Sequence, residues 1–319
     1  MPVLIGAVVL GLAVSDLSHA QRGRRSGPPP ARAHQVRQSD GQLQLVRANV
    51  PPPADNDVSI TVQGSTRQIR SNGIPDHDTG RFPNRGNPHR IEEQTYTYRI
   101  PARPTVADRI LPLKFQSFGI AVNGVPFDPG AAEWFRGDRR GKWQYEALSG
   151  AVPLGLDANH AHVQPNGAYH YHGLPATLLA DLGSNASTHS PQVGWAADGF
   201  PMYALYGYED GRDPASRIKK LTSSYRVRSG NRSDGSGDPG GTYDGTFISD
   251  YEYIEGLGDL DECNGRMSIT PDFPKGTYAY FLTESWPVIP RWFKGTSSRD
   301  FLRRGPPRGA SRGGHTPPR

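Results

Sequence analysis

The chain has 319 residues, 35% of them hydrophobic, with 38 Gly, 30 Pro and one cysteine, Cys263. This composition is globular but turn-rich, which disfavours a helical bundle, and a lone thiol excludes an intrachain disulfide framework. The formal net charge is +5, yet residues 21–39 carry five Arg and no acid, residues 296–319 carry six Arg and one Asp, and residues 40–295 are left at −4. The basic character thus belongs to the ends and the body is mildly acidic. No zinc-finger, RRM or helix-turn-helix pattern points to specific nucleic-acid recognition.

Val3 to Val14 is almost wholly apolar or Gly. The stretch falls short of the roughly 20 apolar residues that span a bilayer. Ser18-His19-Ala20 follows, with small residues at the −3 and −1 positions of a cleavage site. Residues 1–20 therefore read as a signal peptide, although no Lys or Arg precedes the apolar run, and the expected location is secreted or periplasmic. Residues 21–56, with Pro28-Pro29-Pro30 and Pro51-Pro52-Pro53, read as a disordered Pro/Arg-rich linker, and residues 297–319 as a disordered basic tail. Such tails solubilise and offer contact to anionic polymers or a membrane surface. No later segment has the length and apolarity of a transmembrane helix.

Residues 57–296 read as a single domain of short β-type runs separated by Gly, Asn, Asp and Pro turns. Predicted strands are Ser59–Val62, Tyr96–Ile100, Gly119–Val122, Ala168–His172, Met202–Tyr206, Tyr251–Ile254 and Thr277–Leu282, with a tight turn at Asn123-Gly124. One short helix is predicted over Ala176–Leu182, with Gly183 as its stop. Ser229–Gly241 is a long polar, Gly-rich loop. The fold class is mainly β with short helices (α+β), one compact domain between two tails. No repeat of fixed period stands out.

The chemistry concentrates in Leu156–Gly173, where His160, His162, His170 and His172 fall close together. In a strand, alternate side chains share a face, so His170 and His172 project together and Tyr169 and Tyr171 point the other way. Pro165-Asn166-Gly167 is a turn signal that folds the first His-x-His pair back toward the second. Neutral imidazoles so gathered suit a transition metal, Zn or Cu, with a carboxylate or water completing four-coordination. Asp157 is either an oxygen ligand, an orienting partner of one imidazole, or the start of a turn. The bland alternative is a half-buried strand whose histidines are hydrogen-bonded core residues.

Two further segments carry ionisable groups. Gly194–Tyr203 contains Asp198 in an Asp-Gly turn, where structural use is expected and metal or substrate contact is the minor reading. Asp259–Arg266 puts Asp259, Asp261 and Glu262 beside Cys263. Paired carboxylates suit acid–base work or a hard cation, but the spacing is not that of an EF-hand. Cys263 is expected to be buried and inert; a soft ligand and a reactive thiol are the other options.

Tyr169-His170-Tyr171-His172, preceded by Ala161-His162-Val163-Gln164-Pro165-Asn166-Gly167, resembles the signature of the YHYH family. Gly119–Asp128, Gly194–Pro201 and Leu260–Gly265 resemble that family in order and spacing, and the likeness covers roughly residues 95–296. The resemblance implies an often exported domain and supplies no established reaction. It carries His170, His172 and His162 over as family positions, with His160 an extra candidate. Relatives often hold a second YHYH-like strand, which here reads Tyr278-Ala279-Tyr280-Phe281, so a site drawing histidines from both strands would be incomplete. The resemblance also implies a cysteine near Trp292 as partner for Cys263, and that residue type is missing here.

Three functional classes follow. The first is an exported protein that binds a transition metal through its histidine cluster. The second is a metal-dependent hydrolase or oxidoreductase, which needs an open coordination position. The third is a metal-free surface-interaction or carbohydrate-binding module that uses exposed aromatics. No Gly-x-Ser-x-Gly, Walker A, His-Glu-x-x-His or Cys-x-x-Cys pattern is present.

Overall fold

The computed structural model describes Leu43, Leu45, Val46 and residues 49–302. The apolar N-terminal stretch, its Ser18-His19-Ala20 end, most of the Pro/Arg-rich segment and the basic tail from residue 303 onward lie outside the described residues. The domain is mainly β with few short helices. Its strands in chain order are β1 (Val58–Gln63), β2 (Thr66–Ser71), β3 (Tyr96–Pro101), β4 (Leu111–Pro112), β5 (Gly119–Ala121), β6 (Pro126–Phe127), β7 (Gly130–Trp134), β8 (Gln144–Glu146), β9 (Ala161–Val163), β10 (Tyr169–Tyr171), β11 (Gly194–Ala196), β12 (Pro201–Ala204), β13 (Tyr206–Tyr208), β14 (Ile218–Lys220), β15 (Tyr225–Val227), β16 (Tyr251–Tyr253), β17 (Gly265–Thr270), β18 (Phe273–Leu282) and β19 (Trp292–Phe293). Helix α1 covers Ala176–Asp181.

Every predicted run falls on a strand. One is divided: Leu205 adopts a left-handed φ of 66°, so Met202–Tyr206 belongs partly to β12 and partly to β13. Gly183 ends α1 in the left-handed region, its N–H bonded to the Ala180 carbonyl at 2.9 Å, as glycine past a helix end commonly does.

The main sheet has eight strands in the order β17-β18-β12-β11-β5-β6-β10-β9. Read from either edge the order is the same. An antiparallel hairpin forms the edge (β9–β10 or β17–β18), its inner strand runs parallel to the outer strand of a second hairpin (β5–β6 or β11–β12), and the halves meet where β5 and β11 pair antiparallel. The central register is reciprocal, Gly194 opposite Ala121 and Ala196 opposite Gly119. Aligned through it, Gly119-Ile120-Ala121-Val122-Asn123-Gly124-Val125-Pro126-Phe127 matches Gly194-Trp195-Ala196-Ala197-Asp198-Gly199-Phe200-Pro201-Met202. The outer hairpins match too: Tyr171 pairs with Phe127 and Ala161, as Tyr280 pairs with Met202 and Gly265. The domain therefore holds two copies of one four-stranded unit.

The core lies against this sheet. Ile120, Phe127, Tyr169, Tyr171 and Tyr280 are fully buried, and Phe118 stacks on Phe293 with ring centroids 4.8 Å apart. A second cluster forms around Phe247, which takes Trp143 and Tyr145 against its ring. Chain on both sides of 57–296 also packs on the domain. Val50 bridges to Thr79, the Asn56 amide donates to the Asn123 carbonyl at 2.7 Å, and Phe301 stacks on Tyr98 at 4.1 Å.

Candidate metal centre

The site is built by the edge hairpin β9–β10. The Gly167 N–H bonds the Gln164 carbonyl at 2.9 Å, the Gln164 N–H bonds the Ala168 carbonyl at 3.0 Å, and Gly167 sits at φ +84°. A Pro-Asn-Gly sequence meets that geometry because proline presets the first turn residue and glycine accepts the left-handed one. The register that results places His162 directly opposite His170. Since alternate residues share a face, His172 joins them, while Tyr169 and Tyr171 turn to the other side. There the Tyr169 hydroxyl donates to Asp157 at 2.7 Å, and the Tyr171 hydroxyl lies 2.7 Å from His77 Nε2.

The three imidazoles converge through one nitrogen each. His172 Nε2 lies 3.0 Å from His170 Nε2 and 3.0 Å from His162 Nε2. Their outer nitrogens fix the tautomers: His162 Nδ1 donates to the Leu154 carbonyl at 2.9 Å and His170 Nδ1 to the Ala168 carbonyl at 3.1 Å. A carbonyl only accepts, so both rings carry their proton on Nδ1 and present a lone pair at Nε2. Burial, reinforced by the neighbouring His170, holds the His162 pKa down at about 3, so that ring stays neutral. One N–H at His172 Nε2 can satisfy only one of its two neighbours well. Nε2 atoms crowded in this way are what a cation relieves, and backbone bonds at Nδ1 are how metal-binding imidazoles are oriented. Zn–N bonds of about 2.0–2.1 Å at tetrahedral angles set ligand nitrogens about 3.3 Å apart, so the spacing suits a small ion.

The second copy of the unit shows what the fold itself requires. At the register of the His162–His170 pair it has Arg266 opposite Ala279. At the position of His172, whose N–H bonds the His160 carbonyl at 2.7 Å, it has Phe281, whose N–H bonds the Asn264 carbonyl at 3.0 Å. The same hairpin forms without any of the three imidazoles, so backbone geometry does not explain them. Four strands separate β10 from β18, which rules out a site shared between the two YHYH-like strands; the triad comes from β9 and β10 alone.

His160 and Asp157 are not brought to this point. Asp157 is fully buried and starts a turn. Its carbonyl accepts the His160 N–H at 2.9 Å, its carboxylate accepts the Asn159 and Ala161 N–H groups at 2.9 and 3.2 Å, and the Gly80 N–H completes the set at 2.9 Å. The turn puts His160 at φ 51°, breaking the alternation with His162, and its Nδ1 bonds the Leu174 carbonyl at 2.9 Å instead. The first His-x-His pair therefore contributes one ligand.

Asp261 repeats the part of Asp157 in the other copy. It accepts from the Cys263 and Gly265 N–H groups and the Tyr278 hydroxyl, and pairs with Lys294 at 3.0 Å. Glu262 is exposed. Cys263 is buried, and burial with the nearby Asp261 charge pushes its thiol up to about 12. Asp198 is buried, accepts from the Tyr280 hydroxyl at 2.6 Å and the Gly295 N–H at 2.9 Å, and is raised to about 6 by desolvation. Among the described residues, His162, His170 and His172 form the one group of three donors close enough to hold an ion, with donor atoms within 4.8 Å of one another.

A cavity of about 330 Å³ opens onto the triad. Leu154, Val152, Pro165 and Ala131 give it apolar walls, and His89 and Glu133 add titratable groups. Neither of these two stands in a sequence pattern that marks it. Glu133 follows two alanines in β7, and His89 lies in the irregular chain between β2 and β3.

No curated protein and no solved structure matches the chain. The family model described as YHYH protein matches residues 97–295, which covers both copies of the unit and the triad. The chain belongs to the YHYH protein family.

Proposed function

We propose that this protein binds one transition-metal ion, of the Zn or Cu class, through the Nε2 atoms of His162, His170 and His172. The observation that carries the reading is the meeting of three buried or half-buried imidazole nitrogens, two of them held as lone-pair donors by backbone carbonyls. Neutral imidazole is the preferred donor for these ions, and three protein ligands leave the fourth position to water or substrate. The three histidines line the cavity, which would give that position access to water or substrate. A three-nitrogen set without thiolate disfavours a thiolate-rich copper store.

Metal analysis of purified protein tests the reading. One ion per chain is expected, lost in His170→Ala; a wild-type chain that takes up neither Zn nor Cu refutes it. We further propose that the protein is exported, on the strength of the apolar stretch ending at Ser18-His19-Ala20. N-terminal sequencing of secreted protein should then begin at or close to Gln21, and functional cytosolic protein retaining Met1 would refute it.

A further inference from the structure

We infer that β1 is an interaction edge for a second copy of this chain, the strand Val58–Gln63 pairing antiparallel with its own counterpart about a two-fold axis at Ile60. The strand ends a three-stranded sheet in the order β1-β2-β3. Its residues, Val58-Ser59-Ile60-Thr61-Val62-Gln63, include no charge and no proline, and its pairing with β2 runs without a bulge. Charges, prolines and bulges are what usually keep a sheet edge from taking on another strand. The other edges of the two larger sheets are short, interrupted or covered. β9 is three residues long, β17 holds Arg266 and a register shift between Ser268 and Thr270, and on β3 the Arg99 N–H donates to Asp300 at 2.9 Å.

Hydrogen-bond parity fixes which groups β1 offers. Val58 lies opposite Ser71, so Asp57 lies opposite Asn72, and the Asn72 N–H donates to the Asp57 carbonyl at 3.0 Å. Along an antiparallel strand, successive residues turn their N–H and C=O to opposite sides. Asp57, Ser59, Thr61 and Gln63 therefore face β2. Val58, Ile60 and Val62 face the open edge, where no further strand pairs among the described residues. Their side chains share the core side of the sheet. Ile60 continues the row of Ile69 and Tyr98, and Val62 the row of Arg67 and Ile100. Ile69, Tyr98, Arg67 and Ile100 are buried, whereas Ile60 is 38% exposed and Val62 57% exposed. The buried face thus runs out to an edge left open among the described residues.

The order of residues selects a second copy as the occupant. An isologous contact needs a surface complementary to itself, and Val58-Ser59-Ile60-Thr61-Val62 reads alike in both directions, apolar at every outward position. With Ile60 opposite the partner's Ile60, Val58 meets the partner's Val62 on either side of the axis. All three are hydrogen-bonded pairs, giving about six N–H···O=C bonds between the chains, and their side chains join into one apolar strip. A shift by one residue would set outward groups against inward ones, and a shift by two would leave a valine without a counterpart. Asp57 comes opposite the partner's Gln63, and Asp55 beside the partner's Gly64-Ser65 turn, so no like charges face one another. The pairing fuses two three-stranded sheets into one, with main-chain bonds supplying the affinity. About six residues a side is fewer than the roughly 20–30 of a standard interface, which makes this a weak, reversible dimer.

Sedimentation velocity of the full chain from about 1 to about 300 µM brackets weak association. Wild type should show a monomer–dimer equilibrium. Ile60→Lys sets two cations opposite each other at the axis and removes apolar burial, and should weaken the dimer about 10-fold or more. Thr61→Lys places its cation on the other face, opposite the partner's Ser59, and should leave the equilibrium within about threefold of wild type. Cysteines read the register. Hydrogen-bonded partners stand about 5.5 Å apart at Cα, within the disulfide reach of about 4.4–6.8 Å. Ile60→Cys with oxidised glutathione should therefore yield a disulfide-linked dimer, while Thr61→Cys, with no cysteine opposite, should not; Cys263 is buried and takes no part. Should Ile60→Lys disturb the fold, the two cysteine variants still decide. Wild type that stays monomeric throughout, a dimer that folded Ile60→Lys leaves unchanged, or linkage in Thr61→Cys as fast as in Ile60→Cys would overturn the assignment.

Discussion

The two copies of the four-stranded unit suggest a substitution that separates ligand from scaffold. Ala279 and Phe281 stand in the second hairpin where His170 and His172 stand in the first, so the double variant His170→Ala, His172→Phe installs residues that this backbone already accommodates. One side chain shrinks and its neighbour grows, which keeps the change close to volume-conserving, and such exchanges usually cost less than about 1.5 kcal/mol. The Ala168 carbonyl, which loses the His170 Nδ1 bond, still accepts the Gln164 N–H at 3.0 Å, so that acceptor is not orphaned. The metal-loaded wild type, at an ion concentration about 100 times Kd, gains about 2.7 kcal/mol by mass action. For a domain of this size that corresponds to a rise in Tm of about 5–11 °C. The double variant should lose the rise and the bound ion while its metal-free Tm stays within a few degrees of the metal-free wild type. Differential scanning calorimetry with and without Zn, paired with metal analysis, gives both numbers. A metal-free variant destabilised as much as the metal-loaded one would show that the histidines are core residues held by hydrogen bonds, and a variant that still binds one ion would show that the triad is not the site.

Asp198→Asn should reshape the acid side of the stability profile. Burial raises the folded-state carboxyl from 3.8 to about 6, so the folded form keeps a proton that the unfolded chain releases as pH rises through 4. The penalty is absent below pH 4 and complete above pH 6, where it amounts to about 3 kcal/mol. Relative to wild type the Asn variant should therefore gain about that much between pH 4 and pH 7 in urea titrations, and a pH-independent difference would refute the placement. Asp157→Ala removes an acceptor of four buried or half-buried donors, the Gly80, Asn159 and Ala161 N–H groups and the Tyr169 hydroxyl. At about 1–3 kcal/mol for each donor left unsatisfied, a loss of about 4 kcal/mol or more is expected by denaturant unfolding, and a loss below about 1 kcal/mol would contradict the turn described here. Cys263, with its thiol at about 12, should react with a disulfide reagent at pH 8 only as fast as the protein opens; rapid labelling of the native protein would show that the thiol is reachable and ionised.

Much of this domain is local, and the sequence alone determines it. Alternation in Tyr169-His170-Tyr171-His172 is enough to put both imidazoles on one face, because side-chain direction in a strand has period two. Pro165-Asn166-Gly167 is enough to bring a preceding strand back onto them, because the turn's dihedrals are those that proline and glycine favour. What lies beyond a hairpin was decided by tertiary structure. His160 and His162 look equivalent in sequence, but Asp157 is drawn to the Gly80 N–H and the Tyr169 hydroxyl, and the turn it makes rotates His160 away. The doubled unit escapes a search for a fixed period because its matching segments are joined by connections of unequal length, from β6 to β9 and from β12 to β17; only strand pairing, which depends on contacts between residues far apart in the chain, reveals the reciprocal register. Glu133 is silent for the same reason. Nothing in Ala131-Ala132-Glu133-Trp134 marks a lining residue of the cavity, and its place there comes from the packing of β7 and β8 beside the edge hairpin, which no local preference encodes.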